Sequence, residues 1–338
     1  MSHSQLISFY VIACNQERFI AEAIAGAFAQ TWTPLEVVLS DDCSDDRTFS
    51  IMEEMAGAYV GPHKIILNRN EKRLGVGAHI NRLTELCSAD WIVASAGDDV
   101  SLPKRTATLH AHWEANGSNA MLVYSNLLEI NEDGSERCES DFGNEIPDGK
   151  LRWDYLTRLS GKHVPVHGAG FAYPRQLFNN FGPLWDGVVF EDNVLNLRAE
   201  VSGGVLLCPE PLVHHRNHDG QITNLYSRQA MLDADKRRRV LQWSNVMTRR
   251  QNINDAHIAC EKGLIEADKL QHMLMILKKE LFAEERAYQL FWGSFARRWV
   301  LLLNSLHQPK IRKTQLLFAA LPRPLYLAAL RIATKLQI

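Results

Sequence analysis

Four short motifs contain the reactive side chains of this sequence. They are SDDCSDD at 40–46, GDDVSLP at 97–103, FEDNVLNLRAE at 190–200 and HHRNHDGQITN at 214–224. Three contain adjacent carboxylates, which bind divalent cations, accept hydrogen bonds from hydroxyl and imide groups, or remove a proton from an attacking group. The fourth contains histidines and an arginine, which bind metals or phosphate groups.

Asp98 and Asp99 follow the apolar run WIVASA at 91–96. Two adjacent acids at the end of a buried strand repel each other and lose hydration, a cost that a hard divalent cation with oxygen ligands offsets. Mg²⁺ or Mn²⁺ held by one carboxylate and by two phosphate oxygens would neutralise a diphosphate leaving group. The sequence therefore predicts an Mn²⁺ or Mg²⁺ cofactor at this position.

The other two acidic motifs each allow a functional and a structural interpretation. Asp42 follows the apolar run LEVVLS, where its carboxylate can accept hydrogen bonds from a nucleobase imide or from ribose hydroxyls. The alternative is a solvated turn that caps a helix at Ser44. Glu191 and Asp192 begin a predicted helix, whose dipole would keep a base ionised for deprotonating a hydroxyl; the alternative is a helical first turn without a catalytic role.

The histidine-rich motif favours phosphate or metal contacts over a zinc site. No matching cysteine or histidine cluster occurs elsewhere to complete a zinc site with His214, His215 and His218. Arg216 and His218 lie on one side of an extended segment, as a phosphate contact and a metal ligand or hydrogen-bond donor would. A structural hydrogen-bond network around His214 or His215 is the alternative.

Strands and helices alternate along the first 100 residues and must position these motifs. Apolar, β-branched runs predict strands at 6–13, 35–40, 64–67 and 91–96, with helices at 15–30, 44–55 and 76–87 between them. This order predicts an α/β fold with a mainly parallel sheet flanked by helices, in which ligands bind at the carboxyl ends of the strands.

The second half of the chain is less regular. Short strands are expected at 121–124 and 205–207, and the polar segment 132–150 is expected to be a mobile loop. Residues 227–289 contain no proline and one glycine, which predicts long helices. Leucines between 270 and 281 recur near heptad spacing; because the repeat is short, packing onto the rest of the chain is favoured over a coiled coil.

The charge of this 338-residue chain is divided unevenly. The net charge is −2, but residues 286–338 carry +9 and residues 1–285 carry −11. An acidic body excludes a nucleic-acid-binding balance, and a basic, aromatic tail predicts contact with an anionic membrane surface. Its charge-free stretches are shorter than the roughly 20 residues of a spanning helix, so interfacial amphipathic helices are expected; a tail docked on the core is the alternative.

Cysteine usage and the N-terminus predict a cytoplasmic protein. The six cysteines form no C-x-x-C pair, which favours reduced thiols, and no secretory signal is expected at the N-terminus. Together with the basic tail, these features predict a peripheral position at the inner face of the cell membrane.

The motifs of this chain and their order resemble glycosyltransferase family 2, the inverting enzymes that use nucleotide-diphospho-sugars. The resemblance covers about residues 6–225 and rests on CNQERFIAEAI, AQTWTPLEVVLSDDCSDDRT, NRNEKRLGVGAHIN, the DD-x-x-x-P run at 98–103, and the Glu-Asp and Arg-x-His motifs. It implies a GT-A fold, a Rossmann-like, mainly parallel sheet flanked by helices, followed here by a helical C-terminal extension. It also implies sugar transfer to a hydroxyl, with a UDP-sugar as the expected donor.

The resemblance assigns the donor side of the site by position. Asp42 resembles the aspartate that contacts the nucleobase, and Ala13 lies in the adjoining wall. Asp98 resembles the acid that binds the donor's ribose, and Asp99 the direct metal ligand. Arg73 is assigned as a nucleobase or phosphate contact.

The acceptor side and the closing segment follow in the same way. Asp192 resembles the catalytic base, and Glu191 a residue that orients the acceptor or the base. Arg216 and His218 resemble the segment that closes over the diphosphate, with Arg216 contacting the donor and His218 the metal. Cys14 departs from the family, which often has an aromatic residue there.

These expectations divide the chain into a glycosyltransferase domain at 1–225, a helical segment at 226–285 and a basic amphipathic tail at 286–338. The expected acceptor is a glycan or lipid-linked glycan in the synthesis of lipopolysaccharide or another surface polysaccharide, and a homodimer is left open. One alternative is a sugar-phosphate nucleotidyltransferase, which a missing Gly-rich phosphate loop disfavours. The other is a catalytically degenerate, membrane-bound glycan-binding scaffold, which the acids disfavour.

Overall fold

The computed structural model describes residues 5–140, 168–218, 220–221, 235–294, 296–297, 300 and 325. The strands of the described residues are β1 Ile7–Ala13, β2 Leu35–Asp41, β3 Lys64–Arg69, β4 Trp91–Ala96, β5 Val100–Ser101, β6 Leu122–Ile130, β7 Glu136–Ser140, β8 Phe171–Pro174 and β9 Val205–Arg216. The helices are α1 Ile20–Phe28, α2 Thr48–Ala58, α3 Val76–Leu86, α4 Arg105–Ala115, α5 Gln176–Phe181, α6 Glu191–Ser202, α7 Asp235–Glu261 and α8 Ala267–Trp292.

The strands form one sheet in the order β3-β2-β1-β4-β8-β6-β9-β5, and β7 pairs with residues 127–130 of β6, beyond the part that β8 contacts. The first four strands are parallel, as predicted, and Ala13 pairs with Asp41 while Ile12 pairs with Ala96. Their carboxyl ends therefore share one edge. Beyond β4 the sheet is mixed, because β8 runs antiparallel to both β4 and β6, while β6 and β9 are parallel.

The core lies on both faces of this sheet. Phe9 and Val11 of β1 pack into one apolar cluster, and Tyr10 points into the other, so β1 is buried on both faces as its sequence predicts. The second cluster also contains Leu270, Leu274 and other residues of α8. The helical hairpin of α7 and α8 thus packs onto the same body, which confirms the predicted packing interpretation.

Helices α1 and α2 begin later in the sequence than predicted, because polar side chains hydrogen-bond to the backbone that precedes them. Ser44 does not cap α2; its hydroxyl donates to Asp41 and accepts a hydrogen bond from the Asn15 N–H. Asp46 Oδ1 instead accepts from the Thr48 N–H at 2.9 Å, where α2 begins. The predicted N-cap at Ser44 is therefore wrong.

The predicted mobile loop at 132–150 is wrong for residues 136–140, which form β7 against β6, with Cys138 opposite Glu129. Residues 141–150 lie outside the described residues. At the other end of the chain, α8 continues to Trp292, into the segment predicted as the basic tail, and most of the tail beyond it is not described. Among the described residues, no helix combines the length and apolarity needed to cross a membrane.

Candidate active site

Asp42 sits at the carboxyl end of β2 and anchors the loop that follows β3. It is 3% exposed, and its Oδ1 accepts hydrogen bonds from Asn70 Nδ2 at 2.9 Å and from the Leu74 N–H at 2.8 Å. Its Oδ2 accepts from the Gly75 N–H at 2.8 Å. An ionised carboxylate has about four acceptor positions, so a nucleobase would share Asp42 with this loop.

Arg73, which that loop carries, lies across the ends of β1 and β2. Its side chain is 47% exposed, and its Nη2 donates to Asp45 Oδ2 at 3.0 Å and to the Cys43 carbonyl at 3.2 Å. Ala13 is buried, and its carbonyl accepts the Asp42 N–H at 2.9 Å. The predicted donor-side residues Ala13, Asp42 and Arg73 therefore meet at one end of the sheet.

Cys14 extends the same wall but is not a reactive thiol. Its Sγ contacts the carbonyl oxygen of Asp42 at 3.7 Å. Burial raises the pKa of Cys14 to about 11, so the neutral thiol persists at physiological pH. Cys14 is therefore a neutral packing residue beside Asp42.

Asp98 and Asp99 follow β4, and the end of β9 contacts them. Asp99 is 2% exposed, and its Oδ1 accepts the backbone N–H of Arg216 at 2.9 Å. Burial, together with the charge of Asp98, raises the pKa of Asp99 to about 7. His215 lies close by, and although burial opposes it, a hydrogen bond to Glu129 and the charge of Asp99 raise the pKa of His215 to about 9. The carboxylates of Asp98 and Asp99 thus carry negative charge in surroundings whose burial disfavours it.

The Arg216 side chain, predicted to contact the donor, is buried and bonded to other parts of the protein. It is 1% exposed and lies over the ring of Phe19 at 5.1 Å. Its Nη2 donates to Glu22 Oε2 at 2.7 Å, its Nη1 to the Glu132 carbonyl at 2.9 Å, and its Nε to the Asp98 carbonyl at 3.1 Å. In this arrangement Arg216 positions the loop of the acid pair, and a diphosphate contact would require it to leave Glu22.

His218 contacts Asp98 rather than Asp99. Its Nε2 lies 3.0 Å from Asp98 Oδ2, and its ring packs against Phe19 at 4.6 Å. Within the described parts of the chain, no three His, Cys, Asp or Glu side chains are grouped to hold a metal ion. The buried, charged pair of Asp98 and Asp99 nevertheless fits a hard cation that takes its remaining ligands from diphosphate and water, as Mg²⁺ commonly does.

Glu191 and Asp192 form the first turn of α6, as predicted. The apolar residues that follow them, Val194 and Leu195, are buried in the core and fix the helix. Asp192 Oδ1 accepts hydrogen bonds from the N–H and the Nδ2 of Asn193, at 2.7 and 2.9 Å. Burial and the charge of Asp192 raise the pKa of Glu191 to about 8.

Arg105 connects the two acid pairs, and the sequence did not single it out. This wholly buried side chain donates from Nη1 to Ser101 Oγ at 2.7 Å and from Nη2 to the carbonyls of Ala94 and Ala169, at 2.7 and 2.8 Å. Burial lowers its pKa to about 10, opposed by the charge of Asp99. A basic residue in the first turn of a helix opposes the helix dipole, and that was the one sequence signal of its special position.

The turn that Arg105 holds touches Glu191 directly. The turn comprises Gly168–Gly170, and a Cβ on Gly168 would lie 2.8 Å from Glu191 Oε1. Only glycine allows this approach without displacing the carboxylate. The acids after β4 and the acids of α6 therefore lie on either side of one buried guanidinium and one short turn.

Sequence comparisons relate this chain to glycosyltransferases. The sequence model of glycosyl transferase family 2 matches residues 8–179. EpsE of Bacillus subtilis is 33% identical over 130 residues, which are 37% of this chain and 46% of EpsE. The chondroitin synthase of Escherichia coli is 32% identical over 130 residues, 38% of this chain and 18% of the synthase. This chain therefore spans about half the length of the first relative and less of the second.

A solved structure supports the fold. TarS 1–349 of S. aureus, solved in complex with UDP-GlcNAc, superimposes with a TM-score of 0.53 at 13% identity. The superposition covers 98% of this chain and 92% of that one. The likeness is one of fold, and it confirms the predicted GT-A architecture with a helical extension.

Proposed function

The chain belongs to glycosyl transferase family 2, and we propose on that premise that it transfers a sugar from a nucleotide-diphospho-sugar to a hydroxyl group with inversion. The observation that carries this proposal is the link between the two acid pairs. Arg105 ties the strand that ends at Asp98 and Asp99 to the turn that touches Glu191. The acids proposed to act on the donor and those proposed to act on the acceptor are thereby linked through Arg105.

In the proposed reaction, Asp192 accepts the proton of the acceptor hydroxyl while that oxygen attacks the anomeric carbon and the nucleoside diphosphate leaves. Direct displacement needs this single base and no covalent nucleophile. Glu191, with its pKa raised to about 8, keeps its proton at neutral pH and can donate a hydrogen bond to the acceptor. Mn²⁺ or Mg²⁺ bound by Asp98 and Asp99 would supply positive charge beside the diphosphate.

We propose a UDP-sugar as the donor and a glycan or lipid-linked glycan as the acceptor, in the synthesis of a cell-surface polysaccharide. TarS, whose fold this chain shares, was solved with UDP-GlcNAc, which makes UDP-sugars the first donors to test. The relative from Escherichia coli is a chondroitin synthase, which supports a polysaccharide product.

We also propose that the basic tail holds the enzyme at the inner face of the cell membrane. The nine bases of 286–338 carry this proposal. Flotation with anionic vesicles should recover the full chain, whereas a chain ending at Gly293, which keeps α8, should stay behind. Equal recovery of the two would refute the role of the tail.

An assay of donor turnover tests the proposed function. The full chain is incubated with UDP-, GDP- and dTDP-sugars and with Mn²⁺ or Mg²⁺, and the released nucleotide is identified. Release of a nucleoside diphosphate supports the transferase. In a parallel reaction with added pyrophosphate, formation of a nucleoside triphosphate and a sugar 1-phosphate would instead indicate a nucleotidyltransferase, and no turnover of any donor in either reaction would indicate a glycan-binding scaffold.

A further inference from the structure

One face of α7 is polar and yet wholly buried. Ser244, Thr248, Gln251 and Asp255 recur at helical spacing along it, and each is at most 1% exposed. Burying polar groups is unfavourable unless they find hydrogen-bond partners. This face therefore needs an explanation other than a solvated surface or an apolar core.

The partners of this face belong to the loop 182–190, which joins α5 to α6. Ser244 Oγ accepts the backbone N–H of Val189 at 2.7 Å. Gln251 Oε1 accepts the N–H of Trp185 at 2.9 Å, and its Nε2 donates to the carbonyl of Pro183 at 3.1 Å. Side chains of α7 thus supply the hydrogen bonds that regular secondary structure would otherwise give this loop.

A buried ion pair fixes the same loop from α6. Arg198 donates from Nε to Asp255 Oδ2 at 2.7 Å, and both side chains are fully buried. Its Nη1 also donates to the carbonyl of Gly182 at 2.9 Å. The loop is therefore held at its start through Arg198 and further along through Gln251 and Ser244.

The contact between Ser244 and Val189 lies next to Glu191 and Asp192 in the sequence. Val189, which Ser244 holds, precedes Glu191 by two residues, and Val188 and Leu184 of the same loop are buried in the core. A change in the path of this loop would move the first turn of α6. Misplacement of a reacting group by about 1 Å can cost about 100-fold in rate.

We propose that Ser244 and Gln251 are positioning residues, which hold the loop 182–190 and through it place Glu191 and Asp192 for the reaction. Their effect on catalysis rests on the proposed function, while their effect on the loop does not. The helical hairpin, which lies outside the family match at 8–179, is then a working part of the site.

Two isosteric variants of the full chain test this role. Ser244→Ala and Gln251→Met remove the loop contacts, and Thr248→Val is the matched control. Thr248 is equally buried on the same face of α7, but its hydroxyl has no hydrogen-bond partner.

Amide hydrogen exchange and steady-state kinetics are the two measurements. We expect exchange of the Val189 amide to accelerate about tenfold in Ser244→Ala, and that of Trp185 similarly in Gln251→Met, with neither changed in Thr248→Val. The kcat should fall about tenfold in the first two variants. The dissociation constant of UDP should stay within about twofold of the wild-type value, because the strand-end contacts are untouched. The amount of UDP bound per chain should be unchanged. A variant that had merely lost folded protein would bind less UDP.

The outcomes separate the two claims. Unchanged exchange in Ser244→Ala and Gln251→Met would overturn the role of α7 in holding the loop. Faster exchange with an unchanged kcat would overturn positioning of the acids. If the wild-type chain turns over no donor, the proposed function and the catalytic role of the loop are both refuted. The loop contacts would still stand if the variants show the expected changes in amide exchange.

Discussion

The acids at the strand ends and the acids of α6 are held in place by different means. Asp42 accepts the backbone N–H groups of Leu74 and Gly75 in the loop after β3, and Asp99 accepts that of Arg216 at the end of β9. Glu191 and Asp192 depend instead on a turn held by Arg105 and, in our proposal, on a loop held by α7. The first arrangement follows from parallel strands that end together, and the second is assembled from distant side chains.

This difference predicts separable functions for the two regions. In our proposal the strand-end region binds the donor, because carboxylates fixed by rigid strands offer a preformed surface. The proposed proton transfer belongs to the α6 region, and its precision would depend on contacts far from the reacting atoms. Variants in one region should therefore change donor affinity, and variants in the other should change turnover.

The largest effect is expected in the α6 region, from Asp192→Asn. Loss of a general base should lower kcat by about 1,000-fold, while the dissociation constant of UDP stays near that of the wild type. Single-turnover kinetics and calorimetry measure the two quantities. Asp186→Asn, which removes a charge at an exposed position in the loop 182–190, is the control. Wild-type turnover in Asp192→Asn would remove Asp192 from the mechanism.

Arg105→Met should impair both regions at once, because it removes their common link. It leaves the carbonyls of Ala94 and Ala169 without a donor, so the free energy of unfolding should fall by about 3 kcal/mol. Urea denaturation measures this loss. Arg82→Met, at an exposed arginine of α3, should change it by less than about 0.5 kcal/mol. Equal stability of the two variants would mean that Arg105 does not join the regions.

Asp99→Ala should act on donor binding alone. Removing the proposed metal ligand should weaken metal-dependent UDP binding by about 100-fold, which calorimetry with and without Mn²⁺ can measure. Asp90→Ala is the control, since Asp90 is exposed at the opposite end of β4. Unchanged UDP affinity in Asp99→Ala would refute the assigned role.

The smallest effect concerns pH and Glu191. Its raised pKa, about 8, means that the carboxyl group is protonated below that pH and ionised above it. Above about pH 8 two adjacent charges repel each other in the acceptor site, so kcat of the wild type should fall as pH rises. Glu191→Gln stays neutral at every pH, and its rate profile should lose this basic limb. An unchanged limb would assign the titration to another group.

The strand-end region could be predicted from the sequence because its determinants are local. Apolar runs set β1 to β4, and their alternation with helices placed Asp42, Asp98 and Asp99 at one edge before any contact was known. What local patterns missed were the starts of α1 and α2. There, side chains such as Ser44 bond across to another loop rather than capping the helix.

The α6 region could be predicted only in part. Glu191 and Asp192 were placed correctly at a helix start, but the contacts that position them join residues far apart in the chain. Arg105, for example, donates to the carbonyl of Ala169, 64 residues away, in the turn that lies against Glu191. Likewise, the polar face of α7 has the composition of a solvated surface, and only the fold shows it to be buried against the loop 182–190.

The anomeric configuration of the transferred sugar decides whether the reaction is the single, direct displacement that the proposed role of Asp192 as a base requires. Proton NMR of the product, recorded with a donor of known α configuration, reads it from the coupling of the anomeric proton. A single displacement predicts a β-linked product. An α-linked product would contradict it, because retention requires a second displacement or a different path for the attacking oxygen.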